Sequence, residues 1–383
     1  MKVCHVITRL IVGGAQENTL LTCAGLQERG HRVTLITGPD AGWEGSLLPE
    51  AQASDYEVVV LPSLIRAVQP LQDWRARHEL ARQFERLRPD VVHTHSSKAG
   101  ILGRLAARDA RVPIIVHTIH GMSFNRTQRG PARALYRGLE RYCARFTDRL
   151  ISVADAMTTQ AVAAGIADPA KFTTIYSGMR TDWFSPQQCD RRAVRQGWGF
   201  GDDQVVVGTV ARLFRNKGYE QLIPAMVQAA RACPELRFVW VGDGSQKPDY
   251  ERQLHRLGLR SRVHLTGLIL PSQVPPTLAG IDILVHASQW EGLPRAAVQA
   301  LLMERPVISF DIDGAPEVVV PGRTGLLVRL NDTHALAEAI VSLTRNPDRR
   351  RAFGRAGREL CLARFDHNLM VEAIERLYQE LLK

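Results

Sequence analysis

The sequence predicts an α/β protein built from two doubly wound, Rossmann-like domains. Three observations carry that expectation. The chain has 383 residues, more than one hydrophobic core usually spans. Short β-branched runs alternate with amphipathic helical stretches from end to end, the pattern of parallel strands joined by crossover helices. The alternation breaks once, in SGMRTDWFSPQQCDRRAVRQGWGFGDDQ, a stretch rich in Gly, Pro, Asp and Gln, and then begins again.

In the first half, strands are expected at KVCHVIT, RVTLIT, EVVVL, DVVHTH, IIVHTI, RLISV and KFTTIY, with helices between them. The opening MKVCHVITRLIVGG reads as the first of these strands and not as a leader, because His5 and Arg9 interrupt the apolar run and no small-residue cleavage site follows. The second half restarts at QVVVGTV and continues through LRFVWVG, RVHLTG, DILVHA, PVISF and GLLV. The boundary is placed near Pro186, which gives domains of residues 1–186 and 187–364. A final helix is expected over 365–383, with Leu369, Ile374, Leu377 and Leu381 on its apolar face.

Composition narrows the class. No segment approaches the roughly 18 apolar residues of a spanning helix, so a soluble or peripheral cytoplasmic protein is expected. The six cysteines are scattered without a C-x-x-C pair, as suits thiols packed as small hydrophobes. The formal charge is +10, and it is concentrated: Arg126 to Arg149 holds seven arginines against Glu140 and Asp148. Arg129, Arg133, Arg137, Arg141, Arg145 and Arg149 recur every fourth residue, with Leu135, Leu139, Tyr142 and Phe146 on another face. This basic amphipathic segment, 129–149, fits either a solvated helix on the first sheet or a peripheral contact with anionic lipid at the inner membrane face. Nucleic acid is not an expected partner, since no stacking platform or reader motif accompanies the charge.

In open α/β sheets ligands gather beyond the carboxyl ends of the strands. Those ends carry Gly13-Gly14 after the first strand, Ser96, Ser97 and Lys98 after His95, and His120-Gly121 after IIVHTI. In the second half they carry Arg212 and Lys217, then Gly242-Asp243-Gly244, and Glu291-Gly292-Leu293-Pro294. If the two sheets face each other across a cleft, these groups line it. Arg212 and Lys217 straddle a strand-to-helix turn, where fixed charge and a helix dipole can meet a diphosphate. Pro294 suits a first helical turn and leaves the amides of Gly292 and Leu293 for a ligand oxygen; Glu291 can accept from sugar hydroxyls. His120 at its strand end can donate to substrate. His93, His95 and His117 read as core or edge residues, because H-x-H lacks a third ligand at a recognisable spacing.

The run SQWEGLPRAAVQALLMERPVISFDIDGAPEVV, preceded by VARLFRNKG and VGDG, resembles the retaining GT-B glycosyltransferases of family four, also called glycosyl transferases group one. The resemblance extends to GGAQ, HTHSSKAG, HTIHG, YSGMRTDWFSP and the final helix, which it implies crosses back to complete the first domain, and it covers nearly the whole chain. It implies sugar transfer from a nucleotide diphosphate sugar, a UDP sugar first, with retention at the anomeric carbon and with no metal or other cofactor. The acceptor it implies is a glycan or a lipid-linked sugar of cell-surface polysaccharide or glycolipid synthesis. Matched by position, Arg212 and Lys217 would hold the diphosphate, and Glu291, Gly292, Leu293 and Pro294 the donor sugar and its phosphate. Gly242 and Asp243 would lie near the nucleotide, Gly267 beside the base, Gly14 against the diphosphate and His120 near the reacting centre, with His95, Ser96 and Lys98 on the acceptor side.

Two positions depart from the family pattern. Gln299 stands where a second glutamate typically grips the ribose, so a bidentate charge-assisted contact becomes two neutral bonds at best. Ser177 stands where asparagine is usual. A sugar-nucleotide epimerase of the same architecture and a noncatalytic sugar-nucleotide binder remain alternatives on sequence alone, whereas VGGAQE lacks the G-x-G-x-x-G spacing of a nicotinamide dehydrogenase.

Overall fold

The computed structural model describes every residue except 41–43, 125–127 and 129. Each stretch expected as a strand is one. The first seven are β1 (Lys2–Ile7), β2 (Arg32–Thr37), β3 (Glu57–Val60), β4 (Val91–His95), β5 (Ile114–Ile119), β6 (Arg149–Ser152) and β7 (Phe172–Thr174). They form one parallel sheet in the order β3-β2-β1-β4-β5-β6-β7. The next six are β8 (Val205–Val210), β9 (Leu236–Val241), β10 (Val263–Gly267), β11 (Ile283–His286), β12 (Val307–Phe310) and β13 (Gly325–Val328). They form a second parallel sheet, β10-β9-β8-β11-β12-β13. Strands covered on both faces are buried along their whole length, as β4, β5, β11 and β12 are, and the polar residues among them, such as His93, Thr94 and His95 of β4, are buried with the rest.

Each sheet reverses its winding once, between β1 and β4 and between β8 and β11. Crossover helices leave on opposite faces at such a point, and the strand ends there open a crevice. The two reversals therefore mark where binding groups belong.

The chain divides into two compact units, Met1–Gly178 with His367–Lys383, and Met179–Asp366. The division falls at Gly178/Met179 and not near Pro186, because Met179 N–H donates to the Phe365 carbonyl at 2.8 Å and Arg358 donates to the Phe184 carbonyl at 2.6 Å, both partners lying within the second unit. Its helix Arg191–Gly197 sends Arg191 and the buried Arg195 to Asp282, at 2.6 and 2.5 Å, and Asp282 also accepts from the amide of Val206 at 2.8 Å. Burial pushes the Asp282 carboxyl up, but the two guanidinium groups outweigh it and hold the group below its ordinary range.

The last helix, His367–Leu381, completes the first unit's core. Met370, Val371, Ile374, Leu377 and Tyr378 pack among Leu20, Cys23 and Leu26 of the helix Gly14–Glu28. A side chain at Gly25 would meet Val371 at 2.7 Å, so its absence sets the approach of the two helices. Leu369, expected on this face, is instead exposed, because the face turns on Met370 and Val371.

The arginine-rich segment is also shorter than the expected 129–149. The helix runs Gly130–Ala144, Arg145 follows it, and Arg149 opens β6 and donates to the Ala170 carbonyl at 2.6 Å. Arg129 lies outside the described residues. The buried face is Glu140, Cys143 and Ala144, fixed by the fully buried Arg104, whose guanidinium meets Glu140 at 2.6 Å. Arg133, Arg137, Arg141 and Arg145 are exposed, and so are Leu135 and Tyr142, which therefore are not core residues. Among the described residues no helix is long and apolar enough to cross a membrane.

Candidate active site

In the second unit the loops beyond β8, β9 and β11 are drawn together by glycines. Gly218, at φ +76°, ends the turn after β8, and a Cβ there would lie 1.8 Å from the Ala287 carbonyl oxygen just past β11. Gly242, at φ +134°, would place a Cβ 2.3 Å from the Ala211 carbonyl. Backbone bonds lock the contacts: Leu213 N–H donates to the Asp243 carbonyl and Gly242 N–H to the Gly267 carbonyl, both at 2.9 Å. Arg212, half-buried, rises from this turn.

Lys217 and Glu291 meet where these loops converge. Lys217 Nζ donates to Glu291 Oε1 at 2.6 Å, and the Ser288 hydroxyl donates to the same oxygen at 2.7 Å. His286 Nε2 lies 3.5 Å from it. Asp313 Oδ2 accepts the Glu291 amide at 2.8 Å and so fixes the backbone of the loop. Burial alone would raise the Glu291 carboxyl, but Lys217 and then His286 outweigh it, and the group is held well below the ordinary carboxylate range. Glu291 is an anion held by a cation, not a proton donor.

Four residues further on, a helix opens. It begins at Arg295 and ends at Leu302, with Pro294 as its cap and not its first residue. The Pro294 carbonyl accepts from Ala297 and Val298, while the amides of Gly292 and Leu293 find no acceptor among the described residues. Gln299 sits half-buried on this helix, and its carboxamide makes no hydrogen bond to the described residues. Asp243 is occupied locally, accepting from its neighbour Gly244 at 2.7 Å and from Lys247 at 3.1 Å.

In the first unit Gly14 is the first residue of its helix and Gly13 caps it in extended backbone. Ser96 takes φ +63°, unusual for a residue with a side chain, and its hydroxyl pairs with Thr8 Oγ1 at 2.8 Å across the β1/β4 reversal. Lys98 is committed within the unit, to Asp73 and to the Ala67 carbonyl. A cavity of about 530 Å³ opens here, lined by Arg66, Val68, Ser97, Ile101, Leu135 and Leu139 among others.

His95 and His120 belong to an array that extends under this surface. His120 Nε2 is 3.0 Å from His95 Nδ1, and His95 Nε2 is 2.9 Å from His5 Nδ1. His93 is bonded to the Tyr378 hydroxyl and, at 2.6 Å, to Thr118 Oγ1. The third histidine that H-x-H lacked is His5, which pairs in register with His93 from the neighbouring strand. Nitrogens of His5, His93 and His95 lie within 4.8 Å of one another, yet both nitrogens of His93 and of His95 are already engaged.

Comparison with known proteins decides the family. Residues 190–360 match the family model described as glycosyl transferases group 1, and residues 13–178 match the glycosyl transferase 4-like domain. The chain is a GT-B glycosyltransferase. It is similar to the UDP-Gal:alpha-D-GlcNAc-diphosphoundecaprenol alpha-1,3-galactosyltransferase of Escherichia coli, 29% identical over 90% of this chain and 88% of that one. It also resembles the GDP-mannose-dependent alpha-(1-6)-phosphatidylinositol monomannoside mannosyltransferase of Mycolicibacterium smegmatis, at 26% over 91% and 90%. In fold it matches Anabaena HepE in complex with UDP and glucose, with a TM-score of 0.85 at 23% identity over 99% of both chains. The sucrose-phosphate synthase of Thermosynechococcus elongatus gives the same TM-score at 20% identity, over 100% of this chain and 99% of that one.

Of the residues that sequence singled out in this glycosyltransferase, the structure brings Lys217 and Glu291 into contact and joins His95 to His120. Sequence reasoning missed Ser288, His286 and Asp313 around Glu291, and Thr8 behind Ser96. The first two stood within five residues of Glu291, in HAS, and were legible as polar interruptions at a strand end.

Proposed function

We propose that this glycosyltransferase moves a sugar from a nucleotide diphosphate sugar, in the first instance a UDP sugar, to a glycan or lipid-linked acceptor. It does so with retention at the anomeric carbon and without a bound metal, in cell-surface polysaccharide or glycolipid synthesis. The observation that carries the reading is the converged loop cluster of the second unit, where Lys217 holds an ionised Glu291 beside the open amides of Gly292 and Leu293. An ammonium has three donor protons, and only one contact of Lys217 goes to Glu291. The others suit diphosphate oxygens, together with Arg212.

A departing nucleotide diphosphate gains negative charge as the glycosidic bond breaks. Preplaced cations and helix amides therefore stabilise the transition state more than the ground state. In a front-face reaction the leaving phosphate oxygen takes the acceptor proton while the acceptor oxygen bonds the anomeric carbon from the same side. Glu291, kept ionised, accepts from sugar hydroxyls, and Gly242, Asp243, Gly267 and Gln299 border the nucleotide. The names of the relatives support the donor and acceptor classes: UDP-Gal and a diphosphoundecaprenol-linked sugar for the Escherichia coli protein, and an α linkage in that name and in the mycobacterial one.

Exposed Arg133, Arg137, Arg141 and Arg145 beside exposed Leu135 suit contact with anionic headgroups, each arginine adding about 1 kcal/mol near the surface. A lipid-linked acceptor would be met at such a surface. The donor is tested by thermal shift against UDP, GDP and ADP sugars, since a ligand of the native state raises apparent stability. Arg212→Ala is then expected to lower turnover at least about a hundredfold, as loss of an oxyanion donor does; near-normal turnover would remove Arg212 from the mechanism.

A further inference from the structure

Residues 66–75, RAVQPLQDWR, lead from β3 into the helix Pro70–Leu87 and turn their large apolar side chains outward. Leu71 and Val68, 80% and 72% exposed, are the two most exposed large hydrophobic side chains among the described residues, and Trp74 is 60% exposed. Leu71 and Trp74 stand three apart on the helix and so share a face, and Val68 borders its start. His78 donates to the Trp74 carbonyl at 2.8 Å and packs its ring on the indole, so Trp74 rests on another exposed ring and not on the core. Arg66 and Arg75 bracket the three. Both are exposed, and neither meets an acid among the described residues. The one acid of the segment, Asp73, is committed to Lys98 and, at 3.3 Å, to the Gln69 amide.

A single exposed leucine is ordinary; three large apolar residues together, rimmed by free cations, mark a contact surface. Their composition is that of an interfacial anchor, in which Trp and Leu enter the boundary of headgroups and acyl chains while arginines reach back to the phosphates. The cations also choose the occupant. A second copy of this chain seated on the same segment would bring like charges together, whereas anionic headgroups complement them. We propose that Val68, Leu71 and Trp74 insert into the acyl boundary of an anionic membrane, with Arg66 and Arg75 on its headgroups. Val68 also lines the cavity of about 530 Å³, together with Leu135 and Leu139 of the arginine-rich helix. The cavity thus lies between two elements that meet lipid, beside the bilayer that would carry a lipid-linked acceptor. The inference rests on the proposed membrane contact of this unit and assigns its apolar part to residues outside the arginine-rich helix.

The test uses the full chain with vesicles of phosphatidylglycerol and phosphatidylcholine in equal parts, brominated on the acyl chains so that they quench any tryptophan that reaches them. The chain has six tryptophans, so the share of Trp74 is the difference between the wild type and Trp74→Phe. Quenching of the wild type is expected, with roughly half or more of it lost in Trp74→Phe, and Leu71→Ser should partition at least about tenfold more weakly, as loss of one buried leucine side chain implies. Both side chains are exposed, so both variants should keep the melting temperature of the wild type. Salt-sensitive binding with equal quenching in the wild type and Trp74→Phe would overturn the anchor and leave the arginine-rich helix as the contact. Absence of binding would overturn both. A dimer in solution that Leu71→Ser splits, without any response to vesicles, would assign the patch to a second copy and overturn the anchor as well.

Discussion

The contact between Lys217 and Glu291 makes a quantitative demand. Lys217→Met removes the ammonium from a carboxylate that keeps only the Ser288 hydroxyl and the more distant His286. Glu291→Gln removes the charge and leaves Lys217 with a neutral acceptor. Hydrogen bonds to charged groups contribute about 1.5–3 kcal/mol each, and both side chains are only 20% exposed, so each single substitution should cost roughly 2 kcal/mol of stability, on that scale. The double variant should cost much less than the sum, with a coupling of about 1–2 kcal/mol, as for residues in one ion-pair network. Urea unfolding of the four proteins without nucleotide reads this as midpoint shifts at constant slope. The sign with pH follows from the depressed carboxyl: its contribution is complete above the unfolded-chain value, about 4.3, and is lost as pH falls through the lower folded value. The coupling should therefore be the same at pH 8 and pH 5. Single effects that add to within about 0.5 kcal/mol would show that the contact carries no energy and that Glu291 is held by something else.

Three further outcomes are expected. Gln299→Glu should tighten nucleotide-sugar binding by on the order of 1 kcal/mol, about fivefold, by restoring a charged acceptor; titration calorimetry showing weaker binding would displace this side chain from the ribose. Gly218→Ala should cost at least about 2 kcal/mol and most of the activity, since it adds left-handed strain to a backbone clash with Ala287; an unchanged melting temperature would contradict the loop packing. Exchange of Arg133, Arg137, Arg141 and Arg145 for glutamine should abolish salt-sensitive flotation with anionic vesicles, and no flotation of the wild type would leave the arginines as a solvated face.

Most of the strand plan could be read from sequence because parallel strands buried on both faces spell themselves as β-branched runs. What escaped was set by partners distant in the chain. His5 lies 90 residues from His95, and only the β1/β4 pairing makes them neighbours. Lys217 and Glu291 are 74 residues apart, so each was legible as a charged strand-end residue while their mutual contact was not. A fourfold arginine spacing continued past the end of its helix, because Arg149 belongs to β6 and shares the period by coincidence of position. On the last helix Ile374 and Leu377 lie in the core as expected and Leu369 does not, since Leu369 and Met370 are both hydrophobic and only the packing chooses between them.

The split of the first unit across both ends of the sequence has a consequence for biosynthesis. Met179–Asp366 is contiguous and holds everything it needs once the ribosome has passed it. The portion translated earliest must wait with the flank of its Gly14–Glu28 helix uncovered until Met370, Ile374 and Tyr378 emerge. What begins first is thus sealed last, and a nascent or truncated chain lacking the closing helix presents an oily strip to any chaperone that surveys it.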